Sequence, residues 1–301
     1  MKRPFISVVI PAYNEEQYLS KTLESLKKQD YTGNFEVIVV DNNSRDHTAQ
    51  IGKNYGAKVI RELQKGVQFA RQTGFAAARG QIIASTDADT IVPTNWLTTL
   101  AGEFAKNPDA VCVSGMFTFY DGSTLTRILT WLFNYPSFVI FGWHSAANMA
   151  VWKVAFIKSG GFDSKAYLSE DSELAKKLKK YGKVYILPRF KVQTSARRFN
   201  QLGLLGGLYN YTANYIKFKT KYKKRGLNFK PGSEVISLGF WPKLAIHTVV
   251  IITITSAFLG GIFEIKPVRA QVARKQREFS HHVPHVYIPK IEMPAAHGHS
   301  K

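Results

Sequence analysis

Acidic residues are scarce in this 301-residue chain, where 21 Asp and Glu stand against 41 Lys and Arg and leave a net charge of +20. That excess implies an anionic partner, for which nucleic acid, a phospholipid surface and a phosphorylated substrate all qualify. Cysteine is nearly missing. The lone Cys112, in the apolar run AVCVSGMF, cannot form an intramolecular disulfide and reads as a small packed hydrophobe in a cytosolic fold. The N-terminus offers only the run FISVVI before Pro11, too short for a signal-peptide core, so it reads as a first strand. No internal repeat and no DNA- or RNA-binding module is visible, and no nucleic-acid partner is expected. With 45% hydrophobic residues, the chain can bury one sizeable core and a smaller appendage.

Short β-branched runs alternate with helical patterns through the first half. FISVVI (5–10), FEVIVV (35–40), AKVI (57–60), QIIAST (81–86) and AVCVSGMFTF (110–119) are predicted strands. Between them, 15–29, 46–54, 65–79 and 94–106 are predicted helices, with Asp46 and Thr94 suited to N-caps. The alternation predicts an α/β fold with a mostly parallel sheet covered by helices on both faces. Ligands then sit at the carboxyl ends of the strands. Later, SEDSELAKKLKKYGKVYILP reads as a helix, with Leu174, Leu178 and Tyr181 on one stripe, followed by a strand.

Two further regions point to lipid. Residues 123–143 are aromatic and apolar but broken by Asn134 and Pro136, which fits a surface patch, a shallow membrane contact or a buried helix pair. Residues 199–301 carry 15 Lys and Arg against four Glu. Within them Leu204, Leu208, Tyr211, Tyr215, Phe218 and Tyr222 recur at helical spacing beside KFKTKYKKRG, as in an amphipathic helix on an anionic interface or one docked on the protein's own core. Residues 244–263 contain no Asp, Glu, Lys or Arg and match a bilayer span or a buried helix; basic residues on both flanks leave its orientation open. The expected layout is a catalytic domain over 1–199, a basic amphipathic region over 200–243, a transmembrane or membrane-embedded helix over 244–263, and a flexible, His-rich tail over 264–301.

The few acids gather at strand ends: PAYNEE (11–16), DNNSRDHT (41–48) and DAD (87–89). Asp87 and Asp89, one residue apart, can hold a hard divalent cation and leave room for phosphate oxygens. Equally, one could cap the next helix while the other faces solvent. PAYNEE, DNNSRD, KGVQFARQTG (65–74), DAD, GGFD (160–163) and SEDSELA (169–175) resemble, in that order, the motifs of the family 2 glycosyltransferases of the GT-A fold. The resemblance covers roughly residues 5–199.

That resemblance implies roles by position. Pro11, Ala12, Tyr13 and Glu15 would line the base and ribose pocket, and Asp41 would accept hydrogen bonds from the nucleotide. Many members carry a second aspartate where this chain has Asn42, so only Asp41 is carried over. Lys65 and Arg71 suit phosphate contacts. Asp87 would meet the ribose or a metal-bound water, and Asp89 would ligate Mg2+ or Mn2+ directly. Asp171, with Glu170 beside it, would be the base that takes the acceptor proton, or would orient an acceptor that is already a phosphate. Arg197 and Arg198 could hold the leaving diphosphate or a lipid phosphate. Processive members carry a Gln, two residues, then Arg and Trp here; Gln193 precedes Arg197 by four and Phe199 replaces the Trp, which argues against a polymer synthase.

The sequence therefore predicts an inverting, metal-dependent glycosyltransferase at the cell membrane with its catalytic domain in the cytoplasm. It would move sugar from a nucleotide-diphosphate donor to a lipid-linked or membrane-proximal acceptor, held at an anionic membrane surface. A catalytically silent nucleotide-sugar-binding scaffold is the alternative. A nucleotidyltransferase fits less well, because PAYNEE is neither glycine-rich nor basic.

Overall fold

The computed structural model describes residues 3–124, 126–128, 131, 144–164, 170–197 and 199–200. The amphipathic region, the 244–263 segment, the His-rich tail, Arg198 and most of the 123–143 patch lie outside the described residues. The chain divides into units Met1–Leu244 and Ala245–Lys301, and every described residue belongs to the first. No helix among the described residues is long and apolar enough to cross a membrane.

One sheet organises the fold. Its strands are β1 (Ile6–Ala12), β2 (Phe35–Asp41), β3 (Lys58–Arg61), β4 (Ile82–Ser85), β5 (Thr90–Ile91), β6 (Ala110–Phe119), β7 (Met149–Trp152) and β8 (Lys183–Thr194). They lie in the order β3-β2-β1-β4-β7-β6-β8-β5. The first four pair in parallel, as expected of βα repeats. Beyond β4 the sheet is mixed: β7 runs antiparallel to β4 and β6, β6 and β8 are parallel, and β5 is antiparallel to β8. "Mostly parallel" thus holds for one half only. The reason is local. Residues 144–148 cross the carboxyl edge of β4, where Met149 pairs with Ser85, and the chain must then run backwards to reach its next helix.

Side chains alternate across the strands and so sort the helices onto two faces. Ile6, Val8 and Ile10 of β1 pack with α1 (Leu19–Lys27) and α4 (Trp96–Lys106), whose Leu19, Leu23, Leu26, Trp96, Leu97 and Leu100 are buried. Val9, Ile38, Val40 and Ile83 face α3 (Val67–Ala77), α5 (Lys153–Lys158) and α6 (Glu170–Leu178). Gly74 lets α3 approach β1, since a Cβ there would lie 2.3 Å from Val9 Cγ1. Cys112 is buried on this second face, and burial pushes its thiol up to about 12. Of the predicted α6 stripe, Leu174 and Leu178 are fully buried; Tyr181 falls after the helix, is 40% exposed, and its hydroxyl donates to the Lys158 carbonyl (2.7 Å).

Predicted helix starts need small shifts. α2 (Thr48–Asn54) begins two residues after Asp46, whose Oδ1 accepts from the Thr48 amide (3.0 Å) and hydroxyl (2.5 Å). At α4 Asn95, not Thr94, holds the cap position.

Candidate active site

Six chain segments converge at the carboxyl edge of β1, β2 and β4. After β1, the backbone carries Pro11, the buried Ala12, Tyr13 and the nearly buried Glu15. Ala12 pairs with Asp41 at the end of β2, so these two predicted nucleotide contacts are neighbours. Asp41 is buried, and its Oδ1 accepts from the Ser44 amide (3.1 Å). Asn14 and Asn43 adopt positive φ (54° and 61°), a conformation Asn tolerates in tight turns. Their loops are stitched by Asn14 N to Ser44 Oγ (3.0 Å) and Arg45 N to Asn14 Oδ1 (2.9 Å).

Asn42 is a site residue whose work the sequence did not reveal. Its Nδ2 donates to the carbonyls of Glu62 (3.1 Å) and Gln64 (2.6 Å), and its Oδ1 accepts from Gly66 N (2.9 Å). Only an amide can donate twice and accept once there, so the departure from a second aspartate has a structural cause: it pins the loop that carries the solvent-facing Lys65. Gly66 ends that loop at φ 142°, a backbone conformation that glycine permits at the start of α3.

The DAD turn follows β4. Thr90 N donates to the Asp87 carbonyl (3.2 Å), and Thr22 Oγ1 of α1 donates to the Ala88 carbonyl (2.7 Å), so the middle residue is held inward and the two acids splay apart. Each acid meets its own arginine. Asp87 accepts from Arg71 Nη2, while Nη1 of the same guanidinium donates to Glu170 Oε1 at 2.5 Å. Arg71 is buried, so in place of an open phosphate contact the structure commits this side chain to two carboxylates. Burial opposes its charge, yet Asp87, Glu170 and Asp171 more than offset that and raise its pKa.

On the other flank, Arg197 makes a two-pronged pair with Glu15 (2.7 and 2.5 Å), lies 3.3 Å from Asp89 Oδ2, and sits over the Tyr18 ring at 4.7 Å. Glu15, expected to line the base pocket, is thus turned toward this arginine. Burial still raises its pKa against the pull of Arg197. β5 explains the meeting: Thr90 pairs with Thr194, Thr194 Oγ1 donates to Asp89 Oδ1 (3.1 Å), and Ser195 N donates to the Asp89 carbonyl (3.2 Å). Asp121 fastens the same strap through Ser195 Oγ (2.6 Å) and Ala196 N (2.5 Å). A two-residue strand has no periodicity to detect, and Asp121 sits in no motif.

Glu170 and Asp171 open α6, where helix geometry exposes amides to acidic groups. Asp171 Oδ2 accepts from Ala146 N (3.1 Å) and its Oδ1 from Ser172 N (2.7 Å). Burial raises the pKa of both; Glu170 reaches about 7, pushed further by Asp171 and Asp87 and restrained by Arg71. A buried carboxylate held above its ordinary range can take a proton near neutrality.

The donor set for a metal is narrow. Among the described residues no three His, Cys, Asp or Glu side chains form a metal-holding group. Asp87 and Asp89 supply carboxylate oxygens at one turn, a set that suits a hard cation whose remaining positions are filled by diphosphate oxygens or water.

With this geometry in place, the comparisons with known proteins are specific. Two curated relatives are glycosyltransferase AglE of Haloferax volcanii, 34% identical over 132 residues (40% of this chain, 42% of that protein), and glycosyltransferase GlyG of Streptococcus pneumoniae, 35% identical over 124 residues (39% and 40%). The matches span about two fifths of the length of these relatives. Among solved structures, the fold is similar to mannosyltransferase PcManGT of Pyrobaculum calidifontis in complex with GDP-Man and Mn2+ (TM-score 0.59, 20% identity, 92% of this chain and 81% of that one). It is also similar to S. aureus TarS, residues 1–349 (TM-score 0.53, 19% identity, 81% and 78%). The model of the family "Glycosyl transferase family 2" matches residues 7–162, and the chain belongs to that family.

Proposed function

We propose that the protein is an inverting, divalent-metal-dependent glycosyltransferase that uses a nucleotide-diphosphate sugar and a lipid-linked or membrane-proximal acceptor. The observation that carries this reading is the presence of two separate acidic sites on one sheet edge, Asp87 with Asp89 and Glu170 with Asp171. Mannosyltransferase PcManGT with GDP-Man and Mn2+, and TarS with UDP-GlcNAc, support the donor class by analogy of fold.

In this reading Asp89 and Asp87 hold Mg2+ or Mn2+, which when bound offsets charge on the leaving diphosphate. Pro11, Ala12, Tyr13 and Asp41 border the nucleoside, and Lys65 and Arg197 face the phosphates. Arg198 is assigned to the phosphates with them by sequence position alone. Asp171 accepts the proton of the acceptor hydroxyl as its oxygen bonds to the anomeric carbon. The bond from that carbon to the diphosphate oxygen breaks, and its electron pair leaves with the nucleotide. A single displacement from the opposite face inverts the anomeric centre. Residues 200–263 are proposed to keep the catalytic domain at the cytoplasmic membrane surface.

The test is turnover of a panel of UDP- and GDP-sugars with Mn2+ and membrane-lipid extracts as acceptors. Nucleoside diphosphate release with sugar appearing in the lipid fraction is expected. Donor binding without release from any of them would instead establish the silent scaffold.

A further inference from the structure

Arg71 is spent before any substrate arrives, and its two partners lie on opposite sides of the reaction. Asp87 lies in the turn after β4 on the donor side; Glu170 opens α6 on the acceptor side, next to Asp171. The guanidinium is buried, with Nε 3.5 Å from Ser85 Oγ, so all its nitrogens face the interior. α3 reaches the acceptor-side chain twice more: Gln72 Oε1 accepts from Phe162 N (2.9 Å), and Gln68 Nε2 donates to the Ser164 carbonyl (3.4 Å). The same end of α3 starts from Gly66, whose amide is held by Asn42 beside Asp41. One helix therefore touches both halves of the site, and its only charged link to both is Arg71.

We propose that Arg71 is a positioning residue that ties the donor-side Asp87 to the acceptor-side start of α6 through one forked guanidinium. The tie keeps the leaving-group carboxylate and the acceptor base in register, as a displacement along one line requires. A lysine cannot replace it, because a point charge on a flexible stem does not hold two carboxylates in fixed directions. The inference rests on the glycosyltransferase reading for its functional meaning, though the tie itself does not.

The experiment uses the full chain and two readouts. Without substrate, hydrogen exchange of the α6 amides over residues 170–174 is compared among wild type, Asp87→Asn, Arg71→Met and Asp87→Asn in the Arg71→Met background. Asp87→Asn is expected to speed exchange at α6 severalfold when Arg71 is present and to add nothing once it is gone, with β1 amides unchanged. Indifference of α6 to both single substitutions overturns the tie. With substrates, Arg71→Lys is expected to lose about tenfold or more in kcat while donor KM stays within about threefold. Wild-type kcat in Arg71→Lys, or a loss no larger than the loss of folded protein, overturns the positioning role. If wild type turns over no donor, the enzyme reading fails, and the exchange data still decide whether Arg71 joins the two sides.

Discussion

The two arginines that bracket the DAD turn form pairs of similar geometry in different surroundings. Arg71 has a side chain 4% exposed, while that of Arg197 is 23% exposed and lies on a strap after the last strand. Arg71 comes from the helix that packs on the parallel core; Arg197 is held by Asp121, Thr194 and the short ladder to β5. Similar ion pairs should therefore do different work. The buried one is a structural joint between two acids. The outer one reaches solvent, where under the proposed function a guanidinium could meet phosphate.

That contrast is open to direct attack. Arg71→Met strands Glu170 in a buried place without its cation, and about 3 kcal/mol of stability should be lost, read from the denaturant midpoint. Arg197→Met should cost less, about 1–2 kcal/mol, because Arg197 itself reaches solvent although Glu15 and Asp89 (11% and 13% exposed) are nearly as buried as Glu170. Equal losses would erase the distinction.

A smaller effect sharpens it through pH. Glu170 has its folded-state pKa raised from 4.5 to about 7, so the fold favours the protonated acid. Its contribution to stability is fully present below pH 4.5 and is lost as pH rises through about 7. Glu170→Gln should remove this fall in stability between about pH 4.5 and 7, so that the variant gains stability relative to wild type as pH rises.

A comparable shift of opposite sign is at His144, beside α6, where the backbone amide donates to Ser172 Oγ (3.3 Å). Its buried ring nitrogens have no hydrogen-bond partner among the described residues, and burial lowers its pKa from 6.5 to about 4. The stability of the neutral form is present above pH 6.5 and lost as pH falls through about 4. His144→Phe should remove that rise in stability between about pH 4 and 6.5, which opposes the fall set by Glu170 where the two intervals overlap.

Much of the framework was legible from the sequence. The β-branched runs at 35–40 and 57–60 became β2 and β3 with shifts of a residue at their ends, and 110–119 became β6, because local apolar patterning decides such strands. The acids at strand ends were legible too, since βα topology dictates which edge they share. What stayed hidden depends on contacts distant in sequence. Glu15 meets Arg197 across 182 positions and Arg71 meets Glu170 across 99, and no periodicity reports such partners. Arg71 looked like a phosphate ligand because its burial was invisible. Asn42 looked like a lost acid because its three hydrogen bonds go to a loop twenty residues on.

The central claim is the division of labour between the two acidic sites, and calorimetric binding of UDP and GDP with Mn2+ to Asp89→Asn and Asp171→Asn tests it most directly. Asp171→Asn should bind the preferred nucleotide as wild type does while transferring sugar about a hundredfold more slowly or worse. Asp89→Asn should lose the Mn2+-dependent part of binding. Unchanged Mn2+-dependent binding in Asp89→Asn, or an equal loss of binding in both variants, would contradict the account.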